Sequence, residues 1–374
     1  MLPKERVAAA FRHEPTDKVP IYQAGFSSAA ASVVLGRKAY TGGGIQQFRE
    51  AASLWAGPAA HDEYLQRSFQ DACELCERLD LDLVRTSYWR KPEKPLRKVD
   101  ELTFEYDAGE IWRFDPPSET YGPVWGPSTP GTEPDLRRTA ERALRDAEAY
   151  APTEADFAEE QRALERFAPT RAIPGSGIGI AVPRERWWLE ATILAPELVG
   201  MILDAQVICA GKCVRILARM GFPYCFGGGD FAGGAGPFYS PLFFRDVVLP
   251  RLTRISDACH AAGVYHLFAS DGNLWPVADD LFGRSGVDGY YEIDGSFMPL
   301  RRLRQKFPRL TLLGGIRSET LHLGTEERVR EETREAVEAA KEIGGCIVGC
   351  SNQIVAPTPA RNIWAMMETM ERYR

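Results

Sequence analysis

Carboxylates follow two consecutive predicted strands in the middle of the chain. Asp230 comes after an apolar run that ends in Gly227–Gly229, and Asp271 comes soon after the apolar run 263–268. The amphipathic stretch 242–262 between them has the spacing of a helix. Strand, loop, helix and strand in this order build a parallel sheet, whose chemistry gathers at the carboxyl ends of the strands. We therefore predict that the two carboxylates lie in one site.

Further polar side chains stand where other predicted strands end, among them Glu292 and Cys350. Grouped carboxylates can hold a metal ion, share a proton as an acid–base pair, or bind a cationic substrate. The predicted residues at the strand ends are Gln23, Arg85, Tyr88, Ser176, Asp230, Ser270, Asp271, Glu292, Arg317, Cys350 and Asn352.

Several of these residues also have a plain structural interpretation. Asp271 begins Asp-Gly-Asn, which could form only a turn and a helix cap. His266 lies deeper in its strand and could be a core histidine or a ligand. Cys350 could bind zinc or remain an unreactive thiol. The three glycines before Asp230 indicate that something approaches the main chain closely.

Eight predicted strands alternate with predicted helices along the 374 residues. This pattern predicts a single (β/α)8 barrel over residues 1–374, with an N-terminal helical extension and a β-hairpin inserted after the second strand at about 101–126. A doubly wound sheet fits less well, because no Gly-x-Gly-x-x-Gly follows the first strand. The predicted strands are 19–25, 81–89, 171–180, 222–227, 263–268, 287–293, 310–315 and 345–350.

The net charge and the lengths of the apolar runs limit the kinds of partner that this protein is expected to bind. A net charge of −7 argues against a surface that coats nucleic acid. No run approaches the roughly 18 apolar residues of a membrane span, and no apolar signal core follows the N-terminus. We therefore expect a cytoplasmic protein with reduced cysteines that acts on a small molecule.

Short motifs are spread over nearly the whole chain. They are 14–20 (Glu-Pro-Thr-Asp-Lys-Val-Pro), Ser240-Pro241, 270–273 (Ser-Asp-Gly-Asn), Gly314-Gly315, and Thr358-Pro359 with Asn362. In this order they resemble the uroporphyrinogen decarboxylase-like superfamily. The resemblance implies a (β/α)8 barrel with its site in the mouth. It also implies one of two activities: cofactor-free decarboxylation of uroporphyrinogen, or zinc-dependent methyl transfer between corrinoid proteins and thiols or methylated substrates.

The chain departs from both patterns of that superfamily. The decarboxylases carry Arg-Gln-Ala-Gly-Arg after the first strand, and here Tyr22 and Phe26 replace the two arginines that would pair with substrate carboxylates. The methyltransferases hold zinc with a His-x-Cys pair and a later Cys; here 269–271 reads Ala-Ser-Asp, and Cys350 keeps the last position. A rearranged, more oxygen-rich zinc site could use Asp271, Cys350 and His266, or take Asp230 or Glu292 in place of the histidine.

These observations favour a methyltransferase that moves a methyl group between a small methylated substrate and a corrinoid protein or a thiol. Asp230, Asp271 and Glu292 are its predicted catalytic residues, with Zn²⁺ and a partner-borne corrinoid as cofactors. A metal-independent decarboxylase of uroporphyrinogen or another organic acid, and a non-catalytic ligand-binding barrel, remain as alternatives; a homodimer fits each of them. The predicted substrate-binding residues are Gln23, Arg85, Tyr88, Ser176, Ser270, Arg317 and Asn352, and the predicted metal ligands are Cys350, Asp271 and His266.

Overall fold

The computed structural model describes residues 1–86, 90–106, 109–125 and 131–374. The strands are β1 Arg97–Asp100, β2 Thr103–Glu105, β3 Ile111–Asp115, β4 Thr120–Trp125, β5 Pro174–Gly175, β6 Tyr224–Phe226, β7 Ala232–Gly233, β8 Gly236–Pro237, β9 Tyr265–Ala269, β10 Gly289–Ile293, β11 Thr311–Ile316 and β12 Cys346–Cys350. The helices are α1 Pro3–Phe11, α2 Ser28–Leu35, α3 Gly44–Ala56, α4 Pro58–Arg78, α5 Glu133–Ala149, α6 Ala158–Phe167, α7 Arg186–Leu194, α8 Pro196–Met220, α9 Pro241–Phe243, α10 Leu249–Ala261, α11 Ala278–Gly283, α12 Leu300–Lys306, α13 Ser318–Leu323, α14 Glu326–Ile343 and α15 Ala360–Tyr373.

Parallel strands form a closed ring, which confirms the barrel. Six of them pair in the order β5-β6-β9-β10-β11-β12. Two further segments close the ring through single bridges, because Ile21 pairs with Val348, Tyr22 with Leu83, and Leu83 with Ala172. Within the described part of the predicted first and second strands, one or two residues each are paired; residues 87–89 of the second lie outside the described residues.

Alternation along the strands separates two apolar layers. Inward-facing residues such as Phe226, Leu267 and Ile347 fill the barrel, and Val7 and Phe11 of α1 close one end of it. Outward-facing residues pack against the surrounding helices. The opposite end, where the parallel strands finish, stays available for a site, and we call it the mouth.

A buried carboxylate ties the closed end together. Asp82 is fully buried and accepts hydrogen bonds from Arg6 Nη1 at 3.1 Å, from the Ile21 amide at 2.9 Å and from Arg374 Nη1 at 2.9 Å. Two guanidinium groups on one carboxylate compensate the cost of its desolvation. The bonds connect α1, the first two barrel segments and Arg374, which follows α15.

The insertion is larger than the predicted hairpin. Four antiparallel strands, β1 to β4 in chain order, run from Arg97 to Trp125. Their apolar face packs on α3, where the Phe48 and Phe114 rings stack 4.8 Å apart. The sequence Asp-Ala-Gly at 107–109 predicts the turn of that hairpin, and its first two residues lie outside the described residues.

The predicted helix 242–262 is interrupted. Ser240 Oγ caps its start by accepting a hydrogen bond from the Phe243 amide, and a π-helical turn at Phe244–Val248 precedes α10. Pro250 has no amide hydrogen to donate to the carbonyl four residues earlier, so the wider turn lies where the α-helical ladder is already broken.

No single described helix is both long and apolar enough to cross a bilayer; α7 and α8 meet that requirement only together, across a bend of 115°.

Candidate active site

Four carboxylates gather at the mouth. Asp230 follows β6, Asp271 follows β9, Glu292 lies in β10 and Asp294 follows β10. They are close enough for the charges of Asp230 and Asp294 to act on Asp271, and for those of Asp271 and Asp230 to act on Glu292. We call these four residues the carboxylate cluster. Sequence reasoning missed Asp294, although a carboxylate before a glycine just past a strand is a usable signal.

A bulge in β10 turns Glu292 into the mouth. Pairing with β11 shifts register between Tyr290 and Ile293, and Glu292 has a φ of +62°. Simple alternation would put Glu292 on the outer face with Tyr290, but the extra residue leaves it on the inner side. A left-handed conformation at a non-glycine residue costs about 1–3 kcal/mol and persists where its surroundings hold it.

Gly314 makes room for this bulge. A Cβ atom at Gly314 would lie 2.5 Å from the Ile293 amide nitrogen, and Gly314 itself has a φ of +134°. The backbone of the neighbouring strand therefore requires glycine at the first position of the Gly314-Gly315 motif, whereas a Cβ atom at Gly315 would meet the Leu300 side chain of α12 at 2.8 Å.

Two members of the carboxylate cluster have pKa values raised toward neutral pH. Burial raises the pKa of Asp271 to about 6, and the charges of Asp230 and Asp294 add to the shift. Burial also raises the pKa of Glu292 to about 7, a rise that Arg85 opposes and that Asp271 and Asp230 assist. Carboxyl groups that titrate near the working pH are suited to general acid–base catalysis.

Three polar side chains surround the cluster. Asn352 Nδ2 donates to Asp271 Oδ2 at 3.1 Å, which favours the ionised form. The Arg85 guanidinium lies over the Phe226 ring at 5.4 Å, and its charge acts on Glu292. Arg184, which the sequence analysis did not select, is 3.3 Å from Asp230 at the exposed rim. The structure thus brings together Asp230, Asp271, Glu292, Arg85 and Asn352 from the predicted set.

Two predicted substrate-binding residues point away from the mouth. Gln23 is buried under α15, where its amide lies near the sulfur atoms of two methionines and its Oε1 accepts from the Cys350 amide at 3.1 Å. Arg317 is held by Glu332 of α14, with Nε and Nη2 both 3.1 Å from Glu332 Oε2. Both side chains fasten a strand end to an outer helix.

Three other predicted substrate-binding residues remain, namely Ser270, Ser176 and Tyr88. Ser270 is buried, and its Oγ accepts from the Phe231 amide at 3.2 Å, so it joins the loops after β6 and β9. Ser176 directly follows β5 and is partly buried. Tyr88 lies outside the described residues.

The predicted metal ligands do not come together. His266 faces outward in β9, where its Nδ1 lies 2.9 Å from Ser256 Oγ of α10, and burial lowers its pKa to about 3. Cys350 is fully buried, and burial raises the pKa of its thiol to about 12, so it stays protonated. Among the described residues no three His, Cys, Asp or Glu side chains are placed to share a metal ion. The zinc set Cys350, Asp271 and His266 therefore does not fit this geometry.

The three glycines before Asp230 are explained by neighbouring backbone. A Cβ atom at Gly228 would lie 2.6 Å from the Ala269 carbonyl oxygen, and one at Gly229 would lie 2.0 Å from that of Ile180. The close approach inferred from the sequence is real, but the approaching groups are adjacent strand ends, which lets Asp230 and Asp271 meet.

Comparison with known proteins agrees with this fold. Residues 232–373 match the sequence profile described as uroporphyrinogen decarboxylase (URO-D). A methyltransferase from Methanosarcina mazei is similar over 100% of this chain and 99% of its own, with a TM-score of 0.66 and 16% identity. A candidate vitamin-B12-independent methionine synthase from Listeria monocytogenes covers 96% of this chain and 99% of its own, with a TM-score of 0.45 and 12% identity. Comparison with curated protein sequences gives no significant match.

The profile match covers β7 to α15, the part that contributes Asp271, Glu292 and Asp294 to the cluster. The matched segment therefore resembles the uroporphyrinogen decarboxylase family, and the chain shares its barrel fold with the Methanosarcina mazei methyltransferase.

Proposed function

We propose that this protein is a methyltransferase that moves a methyl group from a small methylated compound to a corrinoid carried by a partner protein, or to a thiol. The carboxylate cluster carries the proposal, because Asp271 and Glu292 have pKa values raised to about 6 and about 7 where the parallel strands end. The fold shared with the Methanosarcina mazei methyltransferase is compatible with this activity.

Cleaving a methyl–heteroatom bond leaves an electron pair on the heteroatom, and a proton delivered there makes it a better leaving group. Glu292 is the proposed proton donor, because a pKa of about 7 keeps a large fraction of it protonated near neutral pH and because the charge of Arg85 acts on it. Its carboxylate then regains a proton from water. Proton transfer by a positioned side chain contributes typically about 10²–10⁴-fold in rate. The acceptor would supply the nucleophile that receives the methyl group.

The charge of the mouth limits the substrate. Four carboxylates face two arginines, and Arg184 already pairs with Asp230. A polyanion such as a porphyrinogen would meet repulsion here, whereas a neutral or cationic methylated compound would not. Arg85 and Asn352 are the proposed orienting residues, because both side chains act directly on the cluster.

The open rim fits an acceptor that is held by another protein. Asp230 and Arg184 keep 41% and 64% of their side-chain surface exposed, so a carrier can approach this end of the barrel. No step in the proposed reaction depends on zinc, since the predicted ligands lie apart.

Methyl transfer to cob(I)alamin from a panel of methylated amines, ethers and thioethers tests the proposal spectroscopically. We expect turnover with at least one donor, loss of most of it in Glu292→Gln, and near-normal turnover in Glu332→Gln, which removes a carboxylate outside the mouth. Absence of transfer from every donor class would contradict the proposal.

Decarboxylation of a small organic acid is the second candidate. The proximity of Arg85 and Glu292 favours it, because an arginine could anchor a carboxylate while a protonated carboxyl group delivers a proton to the resulting carbanion. Release of carbon dioxide without a methyl acceptor would select this reaction over methyl transfer.

A further inference from the structure

Tyr22 crosses the barrel interior to reach the bulge of β10. Its side chain is fully buried, and its Oη accepts a hydrogen bond from the Glu292 amide at 2.9 Å. The same hydroxyl donates to the Leu313 carbonyl of β11 at 3.4 Å. Both hydrogen-bond partners of the hydroxyl are backbone groups, so the hydroxyl links the main chains of β10 and β11.

Glycine at 349 lets the ring take this path. Tyr22 lies on the segment that pairs with Val348, so its ring must pass over β12 and β11 to meet β10. A Cβ atom at Gly349 would lie 2.8 Å from ring carbons Cδ1 and Cε1 of Tyr22. Any larger residue at 349 would displace the ring.

The backbone amide of Glu292 needs a hydrogen-bond acceptor at the bulge. The register shift between Tyr290 and Ile293 takes Glu292 out of regular pairing with β11, and its buried amide bonds to Tyr22 instead. A buried amide without an acceptor is costly, and relaxation to an extended conformation would return the Glu292 side chain to the outer face.

We propose that Tyr22 is a positioning residue of the active site: its hydroxyl holds the Glu292 amide and thereby keeps the Glu292 carboxyl group in the mouth. The inference rests on the proposed function only in assigning that carboxyl group a proton to deliver. Among the described residues, the charged and titratable groups that interact with the Glu292 carboxyl group are Arg85, Asp271, Asp230, the Cys350 thiol, Tyr290 and Tyr22 itself.

Tyr22→Phe removes the hydroxyl and keeps the ring. We expect the Glu292 amide, followed by hydrogen exchange, to exchange about tenfold faster or more than in the unaltered protein, as befits a lost buried hydrogen bond. In ¹³C NMR of carboxyl-labelled glutamate, with Glu292→Gln providing the assignment, the Glu292 titration should move to lower pH. With an active methyl donor, kcat should fall about tenfold to a hundredfold while KM changes little.

Tyr64→Phe is the matched control. Tyr64 is also buried, and its hydroxyl donates to a backbone carbonyl, that of Gln46, at 3.1 Å, but it lies on α4. This control should leave the Glu292 amide and titration unchanged. If Tyr22→Phe does not fold, hydrogen exchange in the unaltered protein still tests the inference. Fast exchange of its Glu292 amide would overturn the inference, and slow exchange would support it.

Different results would contradict the positioning role of Tyr22 and the proposed methyl transfer. Unchanged exchange and titration of Glu292 in folded Tyr22→Phe would overturn the positioning role, whether or not the protein transfers methyl groups. Altered exchange and titration in a protein without methyl transfer would support the positioning role and contradict the proposed function.

Discussion

Replacing Glu292 by Gln should stabilise the folded protein at alkaline pH. Burial, followed by the charges of Asp271 and Asp230, raises the pKa of Glu292 from 4.5 to about 7. Because the folded state binds this proton more tightly than the unfolded chain, the stability due to Glu292 is complete below pH 4.5 and is lost as pH rises through about 7. At about 1.4 kcal/mol per pKa unit, the ionised carboxylate costs the folded state about 3 kcal/mol.

Urea unfolding at about pH 8 and about pH 5 measures this cost. Glu292 keeps part of its surface exposed, so we expect Glu292→Gln to raise the free energy of unfolding by about 1–3 kcal/mol at the higher pH and by less at the lower. Glu332→Gln is the control of opposite sign, because it removes the negative charge and one of the two oxygens that accept from Arg317, and it should destabilise the protein at both pH values. A Glu292→Gln protein that is no more stable at about pH 8 would refute the electrostatic picture of the mouth.

Three further changes test other parts of the structure. Asp230→Asn removes a charge that raises the pKa of both titrating carboxyl groups, so the pH at which methyl transfer declines should move lower in a pH–rate profile. Asp82→Ala leaves two arginines at the closed end without their shared carboxylate and should lower the free energy of unfolding by about 3–5 kcal/mol in urea. Gln23→Leu should cost about 1 kcal/mol of stability and leave KM unchanged, since its amide lies under α15; a raised KM would return Gln23 to the substrate site.

The barrel was predictable because its helices and later strands carry strong periodicity and clear breaks. Helix 196–220 begins at a proline and ends at a glycine, as the structure shows. In the described parts of the first two predicted strands, the apolar runs are largely used in packing, and the bridges there are made by Ile21, Tyr22 and Leu83. The inserted sheet was only partly foreseen, because β1 is almost entirely exposed and carries little apolar signal.

The location of the site was predictable, but the direction of individual side chains was not. Alternation within β9 puts His266 outside the barrel with Phe268, and counting along the strand from Leu267 could have indicated this. Glu292 breaks the same rule, because a bulge that no single-sequence pattern reveals reverses its direction. The raised pKa values depend first on burial and then on which carboxylates meet across the strands, and both are properties of the folded barrel.

The pH dependence of kcat for methyl transfer, measured in the unaltered protein and in Glu292→Gln, tests the central claim most directly. If Glu292 donates the proton, kcat of the unaltered protein should fall as pH rises through about 7, and Glu292→Gln should be slower and lack that transition. An unchanged profile in Glu292→Gln would contradict the account.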